Sequence, residues 1–136
     1  MFVRTYIISM WVYLITFWVA EWTMPYLALR TNKTLTLSQE VELKTTVGKL
    51  ITMFPGESVD TFMIHIEDNQ LIYFKGQEAN CMMITLYLKG HYTDEQKQQF
   101  VSELTKALVK ITKIPASNQY VTISEFEKWG HGGIYE

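Results

Sequence analysis

The chain contains an internal repeat, and this repeat constrains its fold more than any other feature of the sequence. When the sequence is shifted by 57 positions, residues 27–66 align with residues 84–123 without a gap. Each copy begins with a short apolar, strand-like run and ends with a second one, Phe62–Ile66 or Tyr120–Ser124. Self-similarity at a fixed offset indicates that one supersecondary unit occurs twice.

Between its two strand-like runs, each copy has the signature of a helix. The segments Thr36–Gln39 and Thr93–Gln96 are capping boxes, in which the Thr side chain binds the N3 amide and the Gln side chain binds back to the cap. Apolar residues follow at the spacing of one helical face: Leu43, Val47, Leu50, Ile51 and Phe54 in the first copy, and Phe100, Leu104, Ala107, Leu108 and Ile111 in the second. The helices are predicted to end near Pro55-Gly56 and near Lys113-Ile114-Pro115.

The repeating unit is therefore strand, helix, strand, and such a unit favours a parallel, right-handed crossover. Two units predict an α/β domain in which two β-α-β repeats form a four-stranded mixed sheet with two helices on one face. Residues 67–80 are predicted to be an insertion between the repeats. The other face of the sheet would be apolar and uncovered, which favours self-association. The residues predicted on it are Met63, His65, Met83, Thr85 and Tyr87.

Residues 1–24 form a hydrophobic leader, and residues 25–136 form the predicted domain. The leader contains an uncharged run, Tyr6–Ala20, with Arg4 before it and Glu21 after it. An Arg followed by such a run is typical of a signal peptide or a short anchor. The run is shorter than the roughly 20 residues that span a bilayer. Three interpretations remain open: a cleaved signal, a retained membrane anchor, and a start assigned upstream of a true start at Met24.

The dipeptide Met24-Pro25 joins the leader to the first strand-like run. If the mature chain begins at Pro25, the proline nitrogen is a free secondary amine. If the leader is kept, the same nitrogen is a tertiary amide with no usable basicity. An unperturbed α-amino group titrates near ~8, and burial in an apolar pocket lowers that value. Pro25 is therefore a candidate general base, conditional on processing.

Composition excludes several function classes. With 12 basic and 14 acidic residues and a net charge of −2, the chain lacks the basic footprint of a nucleic-acid-binding protein. The single cysteine, Cys81, excludes an internal disulfide framework. His91 and His131 have no partners at metal-ligand spacing, so no metal site is expected. The Gly130–Gly133 segment is interpreted as part of a flexible tail.

The Met24-Pro25 junction, the β-α-β repeat and the late strand at Tyr120 together resemble the macrophage migration inhibitory factor family of the tautomerase superfamily. The resemblance extends from Pro25 to about Trp129. Its other anchors are Arg30-Thr31-Asn32, Gly56, Ile64-His65-Ile66, Cys81 and Gly90. It implies a homotrimer with a central barrel that covers the open sheet face. It also implies a cofactor-free keto–enol tautomerase for phenylpyruvate- or dopachrome-type compounds, with Pro25 as the catalytic base.

The same resemblance implies substrate-binding roles for Lys33, Glu57, Lys89, Tyr120 and Thr122. The family's substrate-binding lysine falls on Glu57, whose carboxylate would repel a keto acid. Tyr120 matches the family's pocket tyrosine, contributed by a neighbouring subunit, and Thr122 replaces an asparagine. Lys89 replaces an isoleucine, and either restores a positive charge or is a solvated strand-end lysine. Lys33 keeps the family's basic character around the proline.

The resemblance also implies cytokine-like signalling through a cell-surface receptor, by a protein that is secreted without a leader or stays in the cytoplasm. One alternative is a non-catalytic, cytokine-like binding protein with a vestigial pocket. Another is a membrane-anchored homologue that keeps residues 1–24 and therefore has a blocked Pro25.

Three further residues have structural interpretations. Cys81 matches the first cysteine of the family's CxxC motif, but Ile84 replaces the second, so no thiol–disulfide activity is expected. His65 is interpreted as a satisfied core or interface histidine. Asn32-Lys33-Thr34 is a glycosylation sequon, and a glycan on Asn32 is expected to lie close to Pro25.

Overall fold

The computed structural model of the chain describes residues 24–136, and the predictions made for the leader lie largely outside these residues. The elements are β1 (Tyr26–Thr31), α1 (Leu37–Ile51), β2 (Met63–Glu67), β3 (Met82–Lys89), α2 (Asp94–Thr112), β4 (Gln119–Phe126), β5 (Gly130–His131) and β6 (Ile134–Tyr135). A one-turn 3-10 helix precedes β2 at Val59–Thr61, and another precedes β4 at Ala116–Asn118. Within the described residues, neither helix combines the length and hydropathy that a membrane span needs.

The repeat predicted from the sequence is confirmed element by element. The helices begin at Leu37 and Asp94, and these two residues are 57 positions apart. The two 3-10 helices begin at Val59 and Ala116, again 57 positions apart. Both predicted capping boxes are present, at Thr36 and at Thr93. The local signals therefore place the equivalent elements correctly in both copies.

The two helices differ in where they end. The first helix, α1, ends at Ile51, four residues before Pro55, where Thr52 is the C-cap and its Oγ1 donates to the Lys49 carbonyl at 2.6 Å. The second helix, α2, continues to Thr112 and ends when Lys113 adopts a left-handed conformation with φ of 65°. A local side-chain bond thus ends α1 earlier than the proline signal predicts.

The predicted mixed sheet is confirmed, with the strand order β2-β1-β3-β4. Strands β1 and β2 are parallel, as are β3 and β4, whereas the central strands β1 and β3 are antiparallel. Tyr26 pairs with Met63 on one side and with Tyr87 on the other. The start of β1 therefore lies beside the start of β2 and the end of β3.

The core lies between one face of the sheet and both helices. Its buried side chains form one cluster, which includes Leu27, Leu29, Ile84, Leu86 and Leu88 from the strands and Leu43, Val47, Ile51, Phe100, Leu104 and Leu108 from the helices. The placement of both helices on one face is therefore confirmed. This arrangement leaves the opposite face of the sheet without a covering layer among the described residues.

The open face is less apolar than the sequence predicts. Tyr26, Tyr87 and Phe126 form an aromatic row, with ring centroids 5.7 Å and 5.6 Å apart. Beside this row, the Tyr26 hydroxyl lies 2.8 Å from His65 Nδ1, so the predicted satisfied histidine lies on the sheet face. Arg30 and Glu67 continue the polar strip with a 2.9 Å ion pair. Polar groups on β1 and β2 bind one another here, which offsets part of the cost of exposing apolar strands.

Asn32 anchors the insertion to the end of β1. Its Nδ2 donates to the carbonyls of Ile72 and Ala79 at 3.0 and 2.8 Å, and its Oδ1 accepts from the Cys81 amide at 2.9 Å. Within one chain, the expectation that a glycan on Asn32 would lie near Pro25 is wrong, because the six residues of β1 separate them by ~20 Å. The side-chain amide is also fully engaged in these bonds.

Asn32→Ala is expected to lower the free energy of unfolding by about 2 kcal/mol, because it leaves backbone groups of the insertion without partners. Urea denaturation at a fixed protomer concentration measures this change. Asn118→Ala is the matched control, since its side chain makes only exposed bonds, to the Asn80 carbonyl and from the neighbouring Ser117 hydroxyl. Equal midpoints for the two variants would contradict the anchoring role.

The interpretation of the C-terminal tail as flexible is wrong. Strands β5 and β6 form a hairpin, in which the Trp129 and Glu136 backbones exchange hydrogen bonds of 3.0 and 3.2 Å. The turn between them uses Gly132 and Gly133, both with positive φ, as tight hairpin turns require. Trp129 also packs edge-on against Phe126 with ring centroids 5.9 Å apart, which joins the hairpin to the end of β4.

Candidate functional site

A cleft of about 520 Å³ opens at the start of β1. The elements that line it are the β1 and β2 starts, the 3-10 helix between α1 and β2, and the C-terminal hairpin. The lining residues are Met24, Pro25, Tyr26, Asp60, Thr61, Phe62, Met63, Trp129, Gly130 and His131. The predicted catalytic residue, Pro25, therefore lies in a cavity large enough for a small organic molecule.

Pro25 is buried and is held by its carbonyl. The Met63 amide donates to the Pro25 carbonyl at 2.9 Å, which extends the parallel β1–β2 ladder by one position. Proline is tolerated at the beginning of a strand because no donor is needed there. Since this anchor uses the carbonyl, the position of Pro25 does not depend on its bond to Met24.

The cleft combines aromatic walls with two ionisable groups. Tyr26, Phe62 and Trp129 supply the aromatic side chains, while Asp60 and His131 supply the ionisable ones. Asp60 is positioned by the 3-10 helix, in which Ser58 Oγ accepts from the Asp60 amide at 3.1 Å. Such a surface suits an aromatic compound with a polar end.

Sequence reasoning missed the contribution of the hairpin to this cleft. Gly130–Gly133, which includes His131, is interpreted from the sequence as part of a flexible tail. The signal that could have located them is Gly132-Gly133, a two-residue turn between short flanking runs. The turn folds the segment back, and Trp129 and His131 line the same cleft as Pro25.

Glu57 is buried, with 7% of its surface exposed, and it is not among the described residues that line the Pro25 cleft. The Tyr92 hydroxyl donates to Glu57 Oε2 at 2.6 Å. Desolvation, this hydrogen bond and the negative charge of Glu57 all raise the pKa of Tyr92, so the phenol stays protonated as the donor. The carboxylate is therefore held by the protein rather than presented to a substrate.

The loop that carries Tyr92 is fixed to β4 by Glu125. Glu125 accepts from the Tyr92 amide at 2.7 Å and from Lys97 Nζ at 2.6 Å. Desolvation by itself would raise the pKa of Glu125, but these hydrogen bonds and the Lys97 charge outweigh it and lower the pKa. This network ties the loop after β3 to α2 and β4, and thereby positions the Glu57 partner.

The two predicted lysines lie at opposite ends of the sheet. Lys89 is the last residue of β3 and lies at the same end of the sheet as Pro25, but it is not among the described residues that line the Pro25 cleft. Lys33 follows the far end of β1, where its Nζ donates to the Thr112 carbonyl at the end of α2. Within one chain the structure does not bring Lys33 to Pro25, so its substrate-binding role stays a prediction that requires a neighbouring chain.

Tyr120 and Thr122 also lie away from the proline of their own chain. Tyr120 pairs with Met83, which in turn pairs with Arg30 at the far end of β1. Both side chains are exposed on the edge strand β4, where Tyr120 contacts only Phe74 among the described rings, at 5.7 Å. Their roles stay predictions, and the geometry is the one expected if a neighbouring subunit uses them.

The described residues contain no cluster of three or more His, Cys, Asp or Glu side chains that could hold a metal ion. Cys81 is buried, and desolvation raises the pKa of its thiol, which disfavours the reactive thiolate. The Thr31 hydroxyl and the Asn32 side chain bind the Cys81 backbone, so this position serves the sheet and the insertion.

Comparison with known proteins supports the class of fold. The family model described as Tautomerase enzyme matches residues 84–134, which comprise the second repeat and most of the hairpin. No curated protein sequence matches the chain. The mixed sheet, the paired helices and this match together define a tautomerase-type α/β domain.

The chain also superposes on solved structures of macrophage migration inhibitory factor proteins. MIF2 from Leishmania major superposes with a TM-score of 0.76 at 22% identity, over 83% of this chain and 97% of that one. The MIF-like protein from Entamoeba histolytica superposes with a TM-score of 0.73 at 15% identity, over 83% and 99% of the two chains. These superpositions confirm the predicted fold, which the chain shares with solved macrophage migration inhibitory factor proteins.

Proteins outside the migration inhibitory factors share the fold too. The structure of Pt0534 inactivated by 2-oxo-3-pentynoate has a TM-score of 0.71 at 19% identity, over 80% of this chain and 94% of that one. A fused wild-type 4-OT, an asymmetric trimer, has a TM-score of 0.71 at 16% identity, over 80% and 94%.

Proposed function

We propose that the chain, when it begins at Pro25, is a cofactor-independent keto–enol tautomerase for phenylpyruvate- or dopachrome-type compounds. The observation that supports this proposal is that Pro25 lines a cleft with aromatic walls on a tautomerase-type fold. The inactivation of Pt0534, a protein of the same fold, by a 2-oxo acid supports a keto acid as the substrate class.

The reaction needs one group that accepts and returns a proton. The neutral Pro25 amine takes a proton from the carbon next to the keto group, and the electrons of that C–H bond form the enol double bond. The resulting ammonium then returns a proton to the other end of the system, so the enzyme is unchanged after each cycle. The buried, aromatic surroundings of Pro25 disfavour the ammonium and thereby keep the amine neutral near physiological pH.

The proposal includes a homotrimer whose sheets enclose a central barrel. Tyr120 and Thr122 lie too far from Pro25 to share a pocket within one chain, so a neighbouring chain has to supply them. The aromatic row on the open face gives that neighbour a surface to cover. Light scattering tests this assembly, and a monomer at micromolar concentration would contradict it.

The keto–enol assay on protein that begins at Pro25 tests the activity. Pro25→Gly is expected to lower the rate by about 100-fold, because a flexible primary amine no longer holds the proton-accepting lone pair in place. Equal rates for the two proteins would overturn the proposal.

A covalent probe separates a wrong substrate from an unreactive amine. The amine of Pro25 is expected to add to the triple bond of 2-oxo-3-pentynoate, with one proton transferred to the reagent, so the N-terminal peptide gains the full mass of the reagent. A label on other residues alone would contradict a nucleophilic amine at Pro25.

A second candidate is a non-catalytic, cytokine-like binding protein, secreted or cytoplasmic, which signals through a cell-surface receptor. The buried carboxylate of Glu57 favours it, because the lysine of the family pattern is missing at that position. Receptor binding that is equal for the protein and its Pro25→Gly variant, together with absent tautomerase activity, would favour this candidate.

A further inference from the structure

We propose that His131 binds the carboxylate of the keto-acid substrate in the Pro25 cleft. This inference rests on the proposed tautomerase function and assigns a specificity-determining role to a residue of the C-terminal hairpin. It addresses a gap in the site, since a keto acid needs a positive group and the position expected to supply one holds Glu57.

The choice of His131 follows from the side chains that line the cleft. Among the described lining residues, His131 is the one side chain that can carry a positive charge. Lys33 lies at the far end of β1 and binds the end of α2. Lys89 lies at the same end of the sheet as Pro25 but is not among those lining residues.

The hairpin holds His131 in a defined place. His131 pairs with Ile134 across the two-glycine turn, and the hairpin is closed by the backbone bonds between Trp129 and Glu136. Trp129 is in turn packed against Phe126 at the end of β4. A binding group carried on paired strands is positioned more precisely than one on a free tail.

Trp129 and His131 also fit one substrate together. Residues two apart on an extended segment point to the same side, and both of these residues line the cleft. An aromatic keto acid can place its ring against Trp129 and its carboxylate at His131. The carbon that loses its proton lies between the ring and the keto group of such a substrate, and Pro25 lines the same cavity.

The interaction depends on pH, because an imidazole attracts a carboxylate much more strongly when it is protonated. The titratable groups around His131 are Asp60 and Tyr26 in the cleft, with Lys128, Tyr135 and Glu136 on the hairpin and its approach. Asp60 is the anionic group that competes with the substrate for the imidazolium. KM for a keto acid is therefore expected to rise with increasing pH, as the imidazole loses its positive charge.

The test compares phenylpyruvate with its uncharged methyl ester, using protein that begins at Pro25. His131→Ala is expected to raise KM for the acid by about 10-fold at pH 6, with kcat changed less than about 2-fold and KM for the ester unchanged. At pH 8 the effect of His131→Ala on KM for the acid should be smaller and closer to its effect on KM for the ester. His131→Gln, which keeps a donor without the charge, should restore part of the binding and lose its pH dependence.

Two further variants make the assignment specific. His91→Ala is the matched control, because His91 is outside the cleft and its Nε2 lies 3.7 Å from Glu127. It should leave both KM values unchanged. Lys89→Ala tests the rival cation.

The outcomes separate the inference from the function on which it rests. An unchanged acid KM in His131→Ala, with activity that still requires Pro25, would overturn the inference alone, as would a raised acid KM in Lys89→Ala only. Activity that is absent, or that survives Pro25→Gly, would overturn the proposed function and this inference with it. An equal loss toward acid and ester would show a structural role for His131 and would also reject carboxylate binding.

Discussion

Protein that keeps residues 1–24 is expected to have no Pro25-dependent tautomerase activity, which is the largest effect predicted for this chain. In that form the Pro25 nitrogen is a tertiary amide, whose lone pair is delocalised into the carbonyl and takes up no proton near neutral pH. The cleft and its aromatic walls are present, but the base is not. The shortened chain should exceed the longer one by at least the ~100-fold that proton transfer contributes.

The comparison needs protein of known N-terminus, so intact mass is measured beside the rate. The matched control is a chain that begins with one additional methionine before Met24, which keeps Pro25 acylated while omitting the rest of the leader. If blocking the nitrogen is the cause, this control should be as inactive as the full chain. Activity in the blocked control would show that another group supplies the base.

Leu104→Ala is expected to lower the free energy of unfolding by about 3 kcal/mol. Leu104 is fully buried at the centre of α2, within the cluster that joins both helices to the sheet. The substitution removes three carbon atoms from a packed interior and leaves a cavity that the surrounding strands cannot fully close.

Leu37→Ala is the matched control for this prediction, because Leu37 is also helical but is 76% exposed at the start of α1. It should change stability by less than about 0.5 kcal/mol. Both variants are compared by urea denaturation at the same protomer concentration, since assembly would add a concentration-dependent term. A similar loss in both would contradict the assignment of the core.

The fold could be predicted from the sequence because the signals that specify it are local. The capping boxes at Thr36 and Thr93 act within one helical turn, and the helical periodicity identifies the buried face without reference to distant residues. The offset of 57 shows that the same strand–helix–strand unit occurs twice, and two such units predict the four-stranded mixed sheet. The end of α1 was predicted less well, because a side-chain bond from Thr52 ends the helix before the proline does.

The candidate site was predicted only in part, because tertiary placement decides which residues meet there. Pro25 lines the cleft and its catalytic role stays a prediction, whereas the place of His131 in the cleft was not predicted, because a two-residue strand has too little sequence to show a period. The resemblance placed Lys33 near the proline and Asn32 was expected there too, but the extended strand β1 separates both residues from Pro25 within one chain. Tyr120 and Thr122 lie away from Pro25 within one chain, so their roles stay predictions.

The near-symmetry of the two repeats has a chemical consequence. Shifting Pro25 by the repeat offset leads to Met82, so the duplicated fold contains two geometrically equivalent places where a strand begins. Met82 is preceded by Cys81, so the Met82 nitrogen is always part of a peptide bond. The duplication repeats the backbone geometry at both strand starts, but a polypeptide has only one amino terminus. Only the first of the two positions can ever offer a basic nitrogen, so each subunit can hold one such site, not two.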